Sequence, residues 1–559
     1  MRSWSFSRQS PLPDRATFDH PFASLLWPEG QYPPEEAAAQ WVRDLGIDDL
    51  ALTLTQSPRH RAFARRILTT LSSDPAVVTW RQAVLADLLA NPELVDKIEA
   101  LLPYLANMQD NQTLFGAKKR GILLSTSERL ANLEIYADTI LKLHDILSEP
   151  QFKAPALVQL RHTVEKIIKD TNFQYLQDEL PELRRPLQRI TSLTIGINLD
   201  LELRPKSAVL ISINDYEIGE PMSFLERVIG PRSGSEVTGI APVHHVPGEA
   251  SLRPLTPLFQ DMERLMTEVA EPVERALRQY TRVSVMPLIH LEYELAFYVN
   301  AIRLMETMRA RDIPLCQPEV APLEERAADI RGMVSLNLAL RESIVPVAND
   351  VKFDENGRIA VLTGPNSGGK TTYLRGVGLA QVMFQAGLFV PARQARMSPV
   401  DAIFTHFPAL ETRQQGRLAE EAERLREIFA QISRYSLVLL NETFAATASR
   451  EAVYLAQDML TGFRVIGLRT IYATHLTELV DRISDIEAAQ PGDSRLYSLV
   501  AGIEFDEDLN GQPTYDIRRG EPLDRSYARE IARRFGIDLP QILAAHQDRT
   551  TRDDHTSEK

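Results

Sequence analysis

The apolar run Arg358-Ile359-Ala360-Val361-Leu362-Thr363 passes directly into Gly364-Pro365-Asn366-Ser367-Gly368-Gly369-Lys370-Thr371 and then into a helical stretch over 371–387. Strand, glycine loop and helix in that order leave few folds open. The glycines let backbone N–H groups approach an anion without interference from Cβ, and the helix that follows aims its positive end at the same point. From average residue frequencies, the pattern G-x-x-x-x-G-K-[ST] arises by chance in about 2% of chains this long, and the flanking strand and helix lower that further. The pattern predicts a phosphate-binding loop. Lys370 would neutralise β/γ-phosphates, and the Thr371 hydroxyl would sit on Mg²⁺.

Such a loop needs a second, acidic element. The run 436–440 reads as a buried strand ending in Asn441 and Glu442, and Glu442 is the candidate general base that orients an attacking water. The run 470–474 reads as another strand, with His475 at its C-terminal end. Open α/β sheets bind ligands at the carboxyl ends of their strands, so His475 is placed to sense a terminal phosphate. The plainer alternatives are a glycine-rich turn, a solvated strand-end carboxylate and a structural histidine.

At 559 residues the chain is too long for one core, and its 44% hydrophobic, 25% charged composition is that of a globular protein. The single Cys316 excludes an intrachain disulfide framework and fits a reducing compartment. No apolar stretch approaches the length of a membrane span and the N-terminus lacks signal-peptide features, so a cytoplasmic protein is expected. A net charge of −14 argues against a generic nucleic-acid coat.

Residues 1–60 hold many prolines and read as an irregular arm with one helix near 35–45. Residues 61–320 read as mainly helical. In the segment 127–147, Leu130, Leu133, Tyr136, Ala137, Ile140 and Leu141 recur at helical spacing. A β insert is expected at about 190–218, where Ile195, Ile197, Leu199, Leu201 and Leu203 alternate with polar or small residues. The stretch 230–257 is rich in Gly, Pro and Ser and reads as a flexible loop. Its adjacent His244 and His245 have no third ligand nearby in sequence. Helix returns from 258 to about 311, a connector follows over 321–345, an α/β domain over 346–540, and a polar tail over 541–559.

Several segments resemble the MutS family of mismatch-repair ATPases. Thr363-Gly364-Pro365-Asn366 through Gly368-Gly369-Lys370-Thr371-Thr372-Tyr373-Leu374-Arg375 is similar to its Walker A segment, and Gly387-Leu388-Phe389-Val390-Pro391-Ala392 to the run that follows. The stretch 436–442 resembles its Walker B strand, and Tyr472-Ala473-Thr474-His475-Leu476-Thr477-Glu478-Leu479 its histidine segment. Val347-Ala348-Asn349-Asp350 resembles the lead-in to the nucleotide site, and Gly520, Ser526-Tyr527-Ala528 and Ile531-Ala532 the closing strand and helix.

The resemblance implies an ABC-type α/β ATPase domain at the C-terminal end, preceded by a helical lever and clamp with a small β insert. It implies ATP and Mg²⁺ as cofactors, with Gly364, Pro365, Asn366, Ser367, Gly368, Gly369, Lys370, Thr371 and Thr372 around the nucleotide. Thr371 and Asn441 would hold the metal, and Glu442 and His475 would serve the chemistry. It also implies a homodimer that grips duplex or branched DNA.

The departures matter. Asn441 stands where the family has Asp, and a neutral amide is a poorer Mg²⁺ partner than a carboxylate. Gly416, followed by Arg417, occupies the place of a Ser that reaches the partner's nucleotide, and Pro346 that of an aromatic that stacks on adenine. The Phe-x-Glu wedge of mismatch-reading members is not found in the early chain; Phe224-Leu225-Glu226 lies in the middle region. Mismatch specificity is therefore not expected. The rival expectation is an ATP-gated protein-interaction scaffold that does not bind DNA.

Overall fold

The computed structural model describes residues 22–31, 40–113, 122–188, 192–199, 201, 205–214, 241–245, 271, 273–278, 286–341, 344–365, 367–407, 417–444, 448–505, 511–522, 532–533 and 535–543. Helices α1 (Gln40–Leu45), α2 (Ile47–Leu54), α3 (Pro58–Thr69) and α4 (Pro75–Leu89) come first. They are followed by α5 (Pro92–Thr113), α6 (Ile122–Ser148), α7 (Pro155–Lys169) and α8 (Thr171–Gln188). Strands β1 (Ser192–Leu199), β2 (Pro205–Asn214) and β3 (Ala241–His245) precede the long helix α9 (Met286–Ala310). Prolines open α3, α4, α5 and α7, because a fixed φ and a missing N–H cost nothing at the first helical position. The prolines early in the chain thus punctuate helices as well as irregular chain.

The chain divides into two compact units. The first comprises residues 1–23, 91–152 and 157–295. Its described part is helical, with an antiparallel sheet in the order β1-β2-β3. Leu130, Leu133, Ala137, Ile140, Leu143 and Leu147 of α6 are buried. Leu141, expected in that stripe, is exposed; the buried face turns through Leu143 instead. The loop expected over 230–257 is corrected in part, since Ala241–His245 pairs with β2, placing His244 opposite Ala208 and His245 opposite Ser207. Backbone pairing with an existing hairpin overrode the loop-like composition around it. The triad Phe224-Leu225-Glu226 lies outside the described residues.

The second unit comprises residues 24–90, 153–156 and 296–559. Both α1 and α2 form, separated by Gly46 in a left-handed conformation, and they bury Trp41, Val42, Leu45, Ile47 and Leu50. Their partners lie hundreds of residues away. Thr405 Oγ1 donates to Asp44 Oδ2 at 2.7 Å, and Arg375 Nε to Asp44 O at 2.9 Å. Arg81 of α4 is fully buried; it donates to Leu26 O at 3.0 Å and Gln385 O at 2.7 Å and stacks over Trp27 at 4.2 Å. Charge-assisted bonds to carbonyls and an aromatic face are what make a buried guanidinium tolerable.

The strands of this unit are β4 (Glu319–Val320), β5 (Ala328–Met333), β6 (Asn349–Phe353), β7 (Ile359–Thr363), β8 (Gln394–Met397), β9 (Ile403–His406), β10 (Leu437–Asn441), β11 (Arg469–Ala473), β12 (Leu496–Phe505) and β13 (Gly511–Arg519). The helices are α10 (Leu336–Ala339), α11 (Lys370–Gln385), α12 (Arg417–Gln431), α13 (Ser449–Ile466), α14 (Glu478–Asp481) and α15 (Ile483–Ala489). A six-stranded sheet runs in the order β13-β12-β7-β11-β10-β9, parallel except at the β12–β13 edge. A second sheet has the order β4-β8-β5-β6.

The central strands β7, β10 and β11 are buried along their whole length, as continuous apolar runs covered on both faces should be. Ile359, Val361, Val438, Leu440 and Tyr472 pack into one cluster with Leu425 and Ile428 of α12 and Met459, Leu460 and Phe463 of α13. On the other face, a Cβ added at Gly378 of α11 would meet Leu45 at 2.6 Å and Leu439 at 3.1 Å. That glycine lets α11 lie close on the sheet. The fold of this unit is mixed α/β, built around a parallel sheet. Among the described residues no helix is long and apolar enough to cross a membrane.

Candidate active site

Because β7, β11 and β10 run parallel, their carboxyl ends share one edge. Asn441 pairs with Ala473, and Ala473 with Leu362. The residues that follow each strand are therefore brought level: the loop from Gly364, the pair Asn441–Glu442, and Thr474–His475. Two backbone bonds continue the ladder past the strands, Glu442 N–H to Ala473 O at 2.8 Å and Thr474 N–H to Leu362 O at 2.9 Å.

The glycines of the loop are needed sterically. Gly364 has φ 134°, and a Cβ there would stand 2.7 Å from Ala501 Cβ; one at Gly368 would stand 2.9 Å from the same atom. Gly369, with φ 84°, caps α11. Asn366 lies outside the described residues, as do Gly416 and the side chain of Arg417.

Lys370 is buried at the start of α11, and its Nζ donates to Gly364 O at 2.8 Å and Pro365 O at 3.0 Å. The same Nζ is 3.4 Å from Glu442 Oε1. On the other carboxylate oxygen, His475 Nδ1 stands 2.7 Å from Glu442 Oε2. Burial pushes the Lys370 ammonium below its ordinary range, with Glu442 opposing. Burial alone would raise the Glu442 carboxyl, but the His475 hydrogen bond and the Lys370 charge outweigh it and hold the group below its usual range. The Glu442 hydrogen bond holds the half-exposed His475 imidazole above its ordinary value, against some desolvation.

Thr371 Oγ1 donates to Asn441 Oδ1 at 3.1 Å. Two neighbouring oxygens of an octahedral Mg²⁺ with bonds of about 2.0–2.1 Å lie ~2.9 Å apart, so this pair is spaced to share such an ion. Both donors are hard oxygens, and neither carries charge. The set fits Mg²⁺ provided that phosphate oxygens supply the negative charge.

The turn after β10 is strained. Glu442 has φ 52° and Phe444 φ 66°, both in the left-handed region that non-glycine residues avoid. Each costs about 1–3 kcal/mol. Besides the Glu442 N–H bond, Phe444 N–H donates to Glu421 Oε2 at 3.1 Å and Tyr472 OH to Thr443 O at 2.8 Å, while His406 Nδ1 lies 3.0 Å from Thr443 Oγ1. At roughly 0.5–1.5 kcal/mol net apiece, four bonds are of the size needed to hold the turn.

A cavity of about 530 Å³ opens beside the loop, and its lining includes Ser367, Gly369, Lys370 and Thr371 together with Val345, Pro346 and Tyr515. Asn349 fixes the Tyr515 segment, donating to Tyr515 O at 3.1 Å and accepting from Ile517 N–H at 2.5 Å. Sequence reasoning missed Tyr515, Glu421 and His406. None carries a local signal: each meets the site through sheet order or across helix packing. Cys316 is remote from this chemistry in character, its thiol pushed up to about 11 by burial.

Residues 73–311 match the family model described as the MutS2 N-terminal domain, and residues 360–547 the one described as MutS domain V. The chain belongs to the MutS family. Its sheet edge with Lys370, Glu442 and His475 lies within the span matched by MutS domain V. The chain is 33% identical over 240 residues to Endonuclease MutS2 of Lactiplantibacillus plantarum, covering 42% of this chain and 28% of that protein. It is 37% identical over 211 residues to Endonuclease MutS2 of Thermomicrobium roseum, covering 37% and 25%. It is 34% identical over 259 residues to the DNA mismatch repair protein MutS of Chlorobium limicola, covering 44% and 28%. The matches thus span about a quarter of the length of these MutS relatives.

Proposed function

We propose that this MutS-family chain binds and hydrolyses ATP with Mg²⁺ at the carboxyl edge of the β7–β11–β10 sheet. The observation that carries the reading is the meeting of Lys370, Glu442 and His475, with Lys370 lining a cavity whose walls hold both polar and apolar residues. The loop N–H groups and Lys370 bind the phosphates. Thr371 and Asn441 would hold Mg²⁺, which when bound would offset phosphate charge. Glu442, kept ionised by its neighbours, orients the attacking water, and His475 holds the carboxylate in place and faces the terminal phosphate. The base is received by the apolar residues of the lining, with the Tyr515 ring taking the stacking role that Pro346 cannot. Mg²⁺-dependent phosphate release from ATP, lost in Lys370→Ala, tests this reading.

The nucleotide-switched act we propose is a dimeric clamp on duplex or branched DNA, in the cytoplasm and in DNA repair or recombination. Support comes from family membership and from a relative named for mismatch repair. The net charge of −14 favours the second reading, an ATP-gated protein scaffold. Gel-shift titration of matched, mismatched and four-way DNA, with and without ATP, separates the two: no binding to any of them leaves the scaffold.

A further inference from the structure

The apolar stripe of α12 contains a carboxylate. Leu425 and Ile428 pack into the core cluster under β10, and Glu421, one turn before Leu425, lies on the same face and is buried. A buried carboxylate at a core-facing position requires a polar partner. Glu421 has one in the turn that carries Glu442: its Oε2 accepts the Phe444 N–H at 3.1 Å. Phe444 has φ 66° and Glu442 φ 52°, so the turn is not one that these residues would adopt unaided. The bond from Glu442 N–H to Ala473 O fixes one side of the turn, and Glu421 fixes the other.

We propose that Glu421 is a positioning residue for the Glu442 carboxylate, acting through the Phe444 N–H; this rests on the reading of Glu442 as the group that orients water. Glu421 does not enter the cavity. Its part is to hold the left-handed turn so that the Glu442 side chain stays between Lys370 and His475. Displacement of such a group by about 1 Å is enough to slow a reaction strongly without loosening the substrate. It also ties the attitude of α12 to the chemistry, since a helix that shifts along its axis carries Glu421 away from Phe444.

The test separates reach from charge. Glu421→Asp keeps the charge but shortens the side chain by about 1.5 Å, beyond hydrogen-bond range of Phe444 N–H. Glu421→Gln loses the charge but keeps an oxygen in place. Steady-state ATP turnover, titration with a fluorescent ATP analogue and thermal melting are measured for both, with Glu421→Ala and Glu442→Gln alongside. Glu421→Asp and Glu421→Ala should lower kcat about tenfold or more with analogue affinity within about twofold, and Glu421→Gln should stay within about threefold of the parent. If the alanine variant does not fold, the aspartate and glutamine variants still decide. Full turnover in Glu421→Asp, or equal losses in the Asp and Gln variants, overturns the proposal. Full turnover in Glu442→Gln instead removes the role of Glu442 itself, whereas a slow Glu442→Gln beside a fast Glu421→Asp removes only that of Glu421.

Discussion

His475 Nδ1 and Glu442 Oε2 lie 2.7 Å apart although 33 residues separate them in the chain. Each stands just past a strand, and the strands β10 and β11 are neighbours in the sheet. The pair titrates in two opposite senses. The His475 pKa is raised above 6.5 by Glu442, so its contribution to stability is complete below that value and lost as pH rises through the raised pKa. The Glu442 pKa is lowered below 4.5, so its contribution is present above that value and lost as pH falls through the lowered one. The difference in melting temperature between the parent and His475→Ala should therefore be largest at about pH 5–6.5 and shrink toward pH 9. A difference that stays constant across this range would show that the pair contributes nothing through its charge.

Lys370 is the only cation named on the loop, and its Nζ already holds two loop carbonyls. Lys370→Ala should weaken ATP binding by at least about tenfold, or ~1.4 kcal/mol. The melting transition should remain cooperative. Calorimetric titration with ATP checks the affinity and a thermal melt the integrity of the fold; wild-type affinity would remove the phosphate loop from the site.

Glu442→Gln keeps the shape of the side chain but cannot act as a base. It should bind ATP normally and hydrolyse it at least about tenfold more slowly. Asn441→Asp adds a carboxylate 3.1 Å from the Thr371 hydroxyl and should lower the Mg²⁺ concentration needed for half-maximal turnover. Unchanged turnover in the glutamine variant is the outcome that excludes Glu442.

Tyr515 is an aromatic residue in the lining of the cavity. Tyr515→Ala should weaken a fluorescent ATP analogue about five- to tenfold, as loss of an aromatic stack of ~1 kcal/mol implies, while Tyr515→Phe should bind as the parent does. Equal affinity in the alanine variant would place the base elsewhere.

Reading a single mispair requires an inserted wedge and a group that holds the displaced base. The early aromatics Trp27 and Trp41 are buried, with Trp27 stacked against Arg81. Contacts to phosphates alone position a protein without reading pairing. We expect less than about threefold preference for a G·T mismatch over matched duplex, well under the ~1.4 kcal/mol of tenfold discrimination, and a steep loss of affinity with salt. A titration showing tenfold preference would falsify this expectation.

What was legible in the sequence is what neighbouring residues decide. The apolar run 359–363, the glycines after it and the helix from Lys370 form strand, loop and helix as their spacing predicts, because period, steric freedom and helix start are local properties. The strands ending at Asn441 and Ala473 were legible for the same reason. The tertiary structure decided which strand ends meet. Sheet order, not spacing, sets His475 on Glu442 and brings β13, with Tyr515, to the far side of the loop. It also decided that α1–α4 join the unit built on the parallel sheet, since Asp44, Ser72 and Arg81 find partners at Thr405 and Gln385 more than 300 residues away. The left-handed backbone at Glu442 and Phe444 belongs to the same class. Neither residue favours that conformation alone, and only bonds from Glu421, Ala473 and Tyr472, supplied by other elements, make it the lower-energy state.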